Sequence, residues 1–283
     1  MYNIDALIAR TTKLAPLPKT YYQLSNAINN PSTSLNDIGE IINQDPSLTA
    51  QLLRIANSAM FNFPSQINSV NQAITVIGIQ QLRELTLACT VLRAFPLIPG
   101  NYVNIDGFWQ HSLAVGIAAR VIARHRKESN IERYYVLGLL HDIGRIVVYL
   151  GDPDTSRELL QSANQSQQLL HNLETARWEV DHGDISSAFL SHWGLPASIW
   201  EPLQHHHAPE KSDNYQDECA TIHLADIIAH ALELGISGEK RVPPLSDVAW
   251  QRLGLNPDQL PQIVEQIETQ YHESVDLFKS NLH

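Results

Sequence analysis

Apolar positions recur at three- and four-residue intervals through nearly the whole chain. No stretch alternates apolar and polar residues convincingly, so the pattern predicts helices throughout. After Pro16 and Pro18, the run Tyr22, Leu24, Ala27 and Ile28 reads as one helix. Ser34 with Asp37 forms an acidic capping box ahead of Ile38, Ile41 and Ile42, and Asp45-Pro46 pairs a cap with a proline at the first helical position. Asn57 to Ser69, with Phe61, Phe63 and Pro64, is expected to be a packed loop. Ser69 and Gln72 then cap a short helix ended by Gly78, and Ile79 to Phe95 forms a longer one. Pro96 to Gly107 carries two prolines and two glycines and reads as a boundary. It divides the chain into an N-terminal helical part, residues 1–98, and a second helical part, residues 99–283.

Phe108 to Arg126 opens the second part as a helix. Tyr134 to Leu150 follows as one apolar helix, with Leu139, Leu140, Ile143, Ile146, Val147 and Leu150 at helical spacing. Inside that run stand His141 and Asp142. A carboxylate on an apolar helix is costly unless a cation or a strong hydrogen-bond donor meets it. A metal centre accounts for both residues, and a buried His-Asp hydrogen bond accounts for them equally well on this pair alone. Ser156 to Leu173 is expected as a polar-faced helix. A helix from Ala197 reaches His205-His206-His207, Lys211 to Glu218 is expected as an exposed loop, and Ala220 to Leu234 as a further helix.

Composition narrows the function. The chain has 283 residues, 43% of them hydrophobic and 17% charged, which fits an ordered all-α protein with a large core. A formal net charge of -11 argues against a broad nucleic-acid-binding surface. Arg120, Arg124, Arg126 and Lys127 read as one solvated helix face. Cys89 and Cys219 lie far apart among apolar neighbours and are expected as buried free thiols. Neither a signal peptide nor a membrane-spanning run is visible, so the expectation is a cytoplasmic protein with no membrane partner.

Candidate metal ligands stand on separate predicted helices: His111, His141, Asp142, His182, His206, His207 and Asp226. Each alone is more often a satisfied structural residue, and the histidine triplet fits a frayed helix end as well as a ligand set. Asp226, among Leu224, Ala225, Ile227 and Ile228, raises the same question as Asp142. His223, one turn earlier, reads as its partner, and Glu179 as a partner of His182.

The order His111, His141-Asp142, Asp226 resembles the signature of the HD superfamily of metal-dependent phosphohydrolases. More closely, nearly the whole chain resembles the HDOD proteins of bacterial signal transduction. Leu14-Ala-Pro-Leu-Pro18, Ile42-Asn-Gln-Asp-Pro-Ser-Leu48, Leu53-Arg-Ile-Ala-Asn-Ser-Ala59 and Gln72-Ala-Ile-Thr-Val-Ile-Gly78 carry the likeness in the first part. Phe108-Trp-Gln-His-Ser112, Gly138-Leu-Leu-His-Asp-Ile-Gly144 and His205-His-His-Ala-Pro209 carry it in the second. The resemblance implies an HD-like helical core preceded by a helical subdomain. It also implies two divalent ions sharing Asp142, with His111, His141 and Asp226 at one and His182, His206 and His207 at the other. Such a donor set favours iron, manganese, nickel or zinc over magnesium. In an enzyme of this kind His141 and Asp142 would be catalytic, the ions activating water for attack on a phosphoryl group.

Two departures bear on function. Gly107 stands where HD-GYP relatives with three metals place a glutamate, and the segment after His207 lacks the GYP motif. Many HDOD proteins have lost HD residues and act as regulatory modules. The expected function is therefore a signal-transduction module with a retained metal site and a regulatory protein partner. A phosphohydrolase or phosphodiesterase with a phosphorylated small-molecule ligand is the second reading, and a metal-free interaction module the third. Arg145 reads as a phosphate contact, a salt-bridged residue or a solvent-facing one.

Overall fold

The computed structural model describes residues 2–58, 61, 63, 65–95, 103–166 and 168–279. These contain sixteen α-helices and two 3-10 turns, with no strand among the described residues. The all-α expectation holds. The chain divides into two compact units, residues 1–15 with 97–267, and 16–96 with 268–283.

The second of these units holds α2 (Lys19–Asn29), α3 (Leu35–Asn43), α4 (Pro46–Ala56), α5 (Val70–Ile77) and α6 (Ile79–Ala94). Local chemistry sets their ends. Ser34 and Asp37 exchange backbone N–H bonds in a capping box, Asp45 accepts from the Leu48 N–H, and Ser69 accepts from Gln72. Gly78, at φ 95°, ends α5 in a conformation that L side chains seldom adopt. Asn57 pins the loop after α4 by donating to the Ile67 carbonyl and accepting its N–H, both at 2.7 Å. Residues 59, 60, 62 and 64 of that expected loop, including Pro64, lie outside the described residues, as do residues 96–102 of the expected boundary.

The larger unit begins with α1 (Ile4–Leu14), a helix not anticipated from the pattern, which packs on α9 through Leu7 and a hydrogen bond from Thr11 to the Val147 carbonyl. Then come α7 (Ile105–His125), α8 (Ile131–Leu140), α9 (Ile143–Gly151), α10 (Pro153–Ser166), α11 (Leu170–Trp178), α12 (His182–His192), α13 (Ala197–Gln204), α14 (Gln216–Ala231) and α15 (Asp247–Leu253). The last helix, α16 (Leu260–Lys279), runs past the end of this unit. Helices α7, α8 and α14 form the centre, with α9, α12 and α13 packed beside them. Phe108, Tyr135, Phe189 and Trp193 are fully buried here, and burying a side chain such as Phe contributes about 1.5–3 kcal/mol. A Cβ on Gly138 would meet the Val115 carbonyl oxygen at 2.6 Å, so only glycine permits α8 to lie this close to α7.

Four expectations need correction. The apolar run from Tyr134 to Leu150 is two helices, broken at His141 and Asp142. Hydrophobic spacing continues through the break because both helices bury a face in the same core. Ser156 to Leu173 is likewise divided, between α10 and α11. Arg120 is not solvated but buried and paired with Glu132 at 3.1 Å. In the expected exposed loop after Lys211, Ser212 is buried, because Glu201 accepts from its hydroxyl and from the N–H groups of Asp213 and Asn214. Cys89 and Cys219 are buried and unpaired, as expected.

Candidate metal centre

The break between α8 and α9 turns His141 and Asp142 out of the helical ladder and into the core. His141 is the last cap of α8 and Asp142 the first cap of α9, yet the Asp142 carboxylate caps no N–H. Its two oxygens face different groups. Oδ1 lies 3.0 Å from His182 Nε2 and 3.8 Å from His206 Nε2, and Oδ2 lies 3.4 Å from His141 Nε2 and 3.2 Å from Arg145 Nη1. Asp226, on α14, places Oδ1 3.1 Å from His111 Nε2 and 3.6 Å from His141 Nε2. His207 Nε2 is 2.8 Å from His182 Nε2. All seven residues singled out from the sequence thus meet in one connected cluster. None of His111, His141, Asp142, His182, His206 and Asp226 is more than 5% exposed, and His207 is part-buried.

Close helix contact makes this convergence. A Cβ on Gly144 would overlap the His182 carbonyl, and the Gly144 N–H donates to the Ser186 hydroxyl at 2.8 Å, which presses α9 against the start of α12. His206 follows α13, which packs on α12.

The hydrogen bonds around the imidazoles decide which nitrogen faces the centre. His141 Nδ1 lies 2.8 Å from the Gly138 carbonyl, His206 Nδ1 2.6 Å from the Leu203 carbonyl, and His182 Nδ1 2.6 Å from Glu174. Carbonyls and carboxylates only accept, so each Nδ1 carries a proton and each Nε2 points inward. His141 Nε2 and His206 Nε2 are buried with no hydrogen-bond partner. Leaving such atoms unmet costs about 1–3 kcal/mol each. Imidazole nitrogens and carboxylate oxygens arranged in this way are the donor set of a divalent transition metal, and the residues present fit one.

Charge is distributed unevenly over the cluster. Burial would raise the Asp142 pKa, but the charges of Arg145, His141 and His182 hold it well below the usual carboxylate value. Asp226 is held low against burial by His230 and His111. Burial would lower His182, but Glu174 pushes it up to about 10. Burial, reinforced by neighbouring imidazoles, drives His206 and His207 well down.

The partners differ from those read in the sequence. Glu179 is exposed at a left-handed helix end, and the carboxylate on His182 is Glu174, eight residues earlier in the chain. Both ring nitrogens of His223 are hydrogen-bonded to groups other than Asp226. Its Nδ1 donates to the His206 carbonyl and its Nε2 accepts the Ser246 N–H, so it steadies the backbone of a candidate ligand. Arg145 is buried, paired with Asp142, and donates to the Ser237 carbonyl at 2.9 Å. Two further histidines, His230 and His171, join the cluster without having stood out in the sequence. His230 Nε2 lies 3.3 Å from Asp226 Oδ1, and His171 stacks on His207 at 4.1 Å. The four-residue spacing from Asp226 to His230 was the one available sequence signal.

A cleft of about 380 Å³ in this unit is lined by His111 and His230, together with Ser237, Glu239, Lys240 and Arg241. No helix among the described residues is long and apolar enough to cross a membrane.

Known proteins resemble this chain over most of its length. An uncharacterized protein of Treponema pallidum (strain Nichols) is 25% identical over 244 residues, which cover 82% of this chain and 47% of that protein. This chain therefore spans about half the length of that relative. A solved structure from Shewanella amazonensis SB2B, named provisionally as a phosphohydrolase, superimposes with a TM-score of 0.75 at 23% identity and covers 98% of each chain. An HDOD domain protein of unknown function from Geobacter sulfurreducens gives 0.74 at 21% identity, covering 99% of this chain and 98% of that one. At such identities the likeness shows the fold. The HDOD domain model matches residues 14–209, well over half of the sequence, and the chain belongs to the HDOD domain family, within the wider group of HD and HD-GYP proteins.

Proposed function

We propose that this chain is a signal-transduction regulatory module that holds divalent metal in an HD-type centre, with Asp142 shared between two ions. One observation carries the reading. Three buried imidazoles have Nδ1 engaged with an acceptor and Nε2 turned inward, and Nε2 of both His141 and His206 meets no hydrogen-bond partner there. A buried His-Asp hydrogen bond, the other explanation of the pair, would leave fewer of these atoms unmet. His111, His141 and Asp226 would hold one ion and His182, His206 and His207 the other. When bound, such ions supply Lewis acidity and neutralise charge on an anionic oxygen.

The regulatory role draws on the enclosure of the side of the centre away from the cleft. His182, His206 and Asp142 are at most 2% exposed, and Arg145 fills the space beside Asp142. A closed shell suits a structural or sensory ion, whereas a catalytic ion keeps an open position. Residues 1–98, as a helical subdomain, would contact the regulatory protein partner.

A metal-dependent phosphohydrolase or phosphodiesterase is the second reading, and one observation favours it: the cleft that reaches His111 and His230 carries Lys240 and Arg241 on its wall. In that case His141 and Asp142 orient the centre, Arg145 keeps Asp142 ionised, and the basic pair receives a phosphorylated ligand. The two readings part on turnover. Protein grown with adequate iron and manganese is measured for metal and assayed anaerobically against a broad phosphoester panel. Bound metal without phosphate or nucleotide release is the expected result. Metal-dependent release would replace the regulatory reading with the enzymatic one, and protein without metal would remove both.

A further inference from the structure

Resting on the metal-centre reading above, we infer that His230 is a further protein ligand, on the cleft-facing side, of the divalent ion assigned there to His111, His141 and Asp226. His230 lies one helical turn after Asp226 on α14, so both side chains leave the same face of the helix. Its ring centroid is 4.6 Å from that of His111, and its Nε2 is 3.3 Å from Asp226 Oδ1. The three donor atoms lie within 4.8 Å of one another.

An ion pair between protonated His230 and Asp226 is the simpler alternative, and it leaves too much unexplained. Asp226 Oδ1 has three imidazole nitrogens around it, at 3.1 Å from His111, 3.3 Å from His230 and 3.6 Å from His141. His111 and His230 can fill its two lone pairs, and His141 Nε2, at 3.6 Å, is then left with no hydrogen-bond partner. A cation placed among these imidazole nitrogens and the Asp226 carboxylate would satisfy them together, and these donor types are those of a transition-metal site.

Access separates this position from the rest of the cluster. His111 and His230 both line the cleft of about 380 Å³, while His182 and His206 do not. The wall carries Lys240 and Arg241, but also Glu233 and Glu239, so it does not select an anion by charge alone. The ion itself supplies the positive centre. Its remaining coordination positions face the cleft that His111 and His230 line. The ligand class for those positions is an anionic oxygen donor. The position is exchangeable, and the ion at His182, His206 and Asp142 is enclosed.

The full chain, labelled with 15N-histidine and freed of metal by a chelator, would be titrated with 113Cd. Each imidazole resonance is connected to its own backbone, and His230→Gln gives an independent assignment. The inference expects one-bond cadmium coupling at Nε2 of both His111 and His230. In His230→Gln it expects a tenfold or greater loss of affinity at that position, with coupling at His182 and His206 retained. Coupling at His111 without coupling at His230 would overturn the inference and leave the wider metal centre standing. Absence of coupling at every histidine would overturn both. The wild-type spectrum decides the matter even if His230→Gln fails to fold.

Discussion

Arg145 Nη1 stands 3.2 Å from Asp142 Oδ2, and both side chains are 2% exposed. The guanidinium also donates to the Ser237 carbonyl at 2.9 Å and lies 4.0 Å from Glu239. A buried cation therefore accompanies the carboxylate at the middle of the cluster, and it fastens that carboxylate to the loop between α14 and α15. Breaking a buried pair by removing one partner costs about 3–5 kcal/mol, because the other charge is left uncompensated. Arg145→Met should lose stability of that order in the metal-free protein. It should lose less when metal is bound, since the ion supplies a replacement positive charge. Chemical denaturation with and without manganese checks this, and an equal loss in both states would count against metal near Asp142.

Gly144→Ala tests the helix contact that assembles the centre. The added methyl would overlap the His182 carbonyl and crowd the Ser186 backbone nitrogen and hydroxyl. Neither main-chain atom can turn aside. Overpacking of this kind costs about 1–3 kcal/mol. A lower melting temperature together with reduced metal content is expected, and metal retained at the wild-type level would show that the separation of α9 and α12 is not critical.

Glu174→Gln tests the carboxylate behind His182. The 2.6 Å contact to Nδ1 fixes the ring and raises the basicity of Nε2. Replacing such a partner costs about 10–100-fold in metal affinity. Competition with a chromophoric chelator reads the change, and an unaltered affinity would remove His182 from the ligand set.

Glu174 also shows where legibility in the sequence ended. Caps such as Ser34 with Asp37 and Asp45 with Leu48 were readable because donor and acceptor lie three residues apart. The spacing of apolar residues likewise gave the helices and the cluster its candidate members. The break at His141 was hidden, because α8 and α9 bury their apolar faces in the same core and the periodicity passes through. Glu174 and His223 act through contacts that arise only when α11, α12 and α14 are packed, and no local spacing marks them. Resemblance to a family pointed to the candidate ligands but not to the groups that hold them.

Acid should weaken the metal-free protein before its carboxylates titrate. Burial, then the charge of His182, lowers His171 from 6.5 to about 4. The unfolded chain therefore binds more protons between those values, and the contribution present above about pH 6.5 is lost as pH falls towards 4. His111, His206 and His207 shift in the same direction, burial being the first cause in each. Stability of His171→Gln should fall less steeply than wild type across this window. Parallel curves measured by denaturant titration at several pH values would contradict the assignment.

The central claim is that Asp142 joins two metal positions. Elemental analysis of metal per chain tests it most directly, comparing wild type, Asp142→Ala and, as a folded control, Asp154→Ala at the exposed start of α10. The account predicts bound transition metal in wild type and in Asp154→Ala, and its loss from Asp142→Ala. Equal metal in Asp142→Ala, or none in wild type grown with iron and manganese, would contradict it.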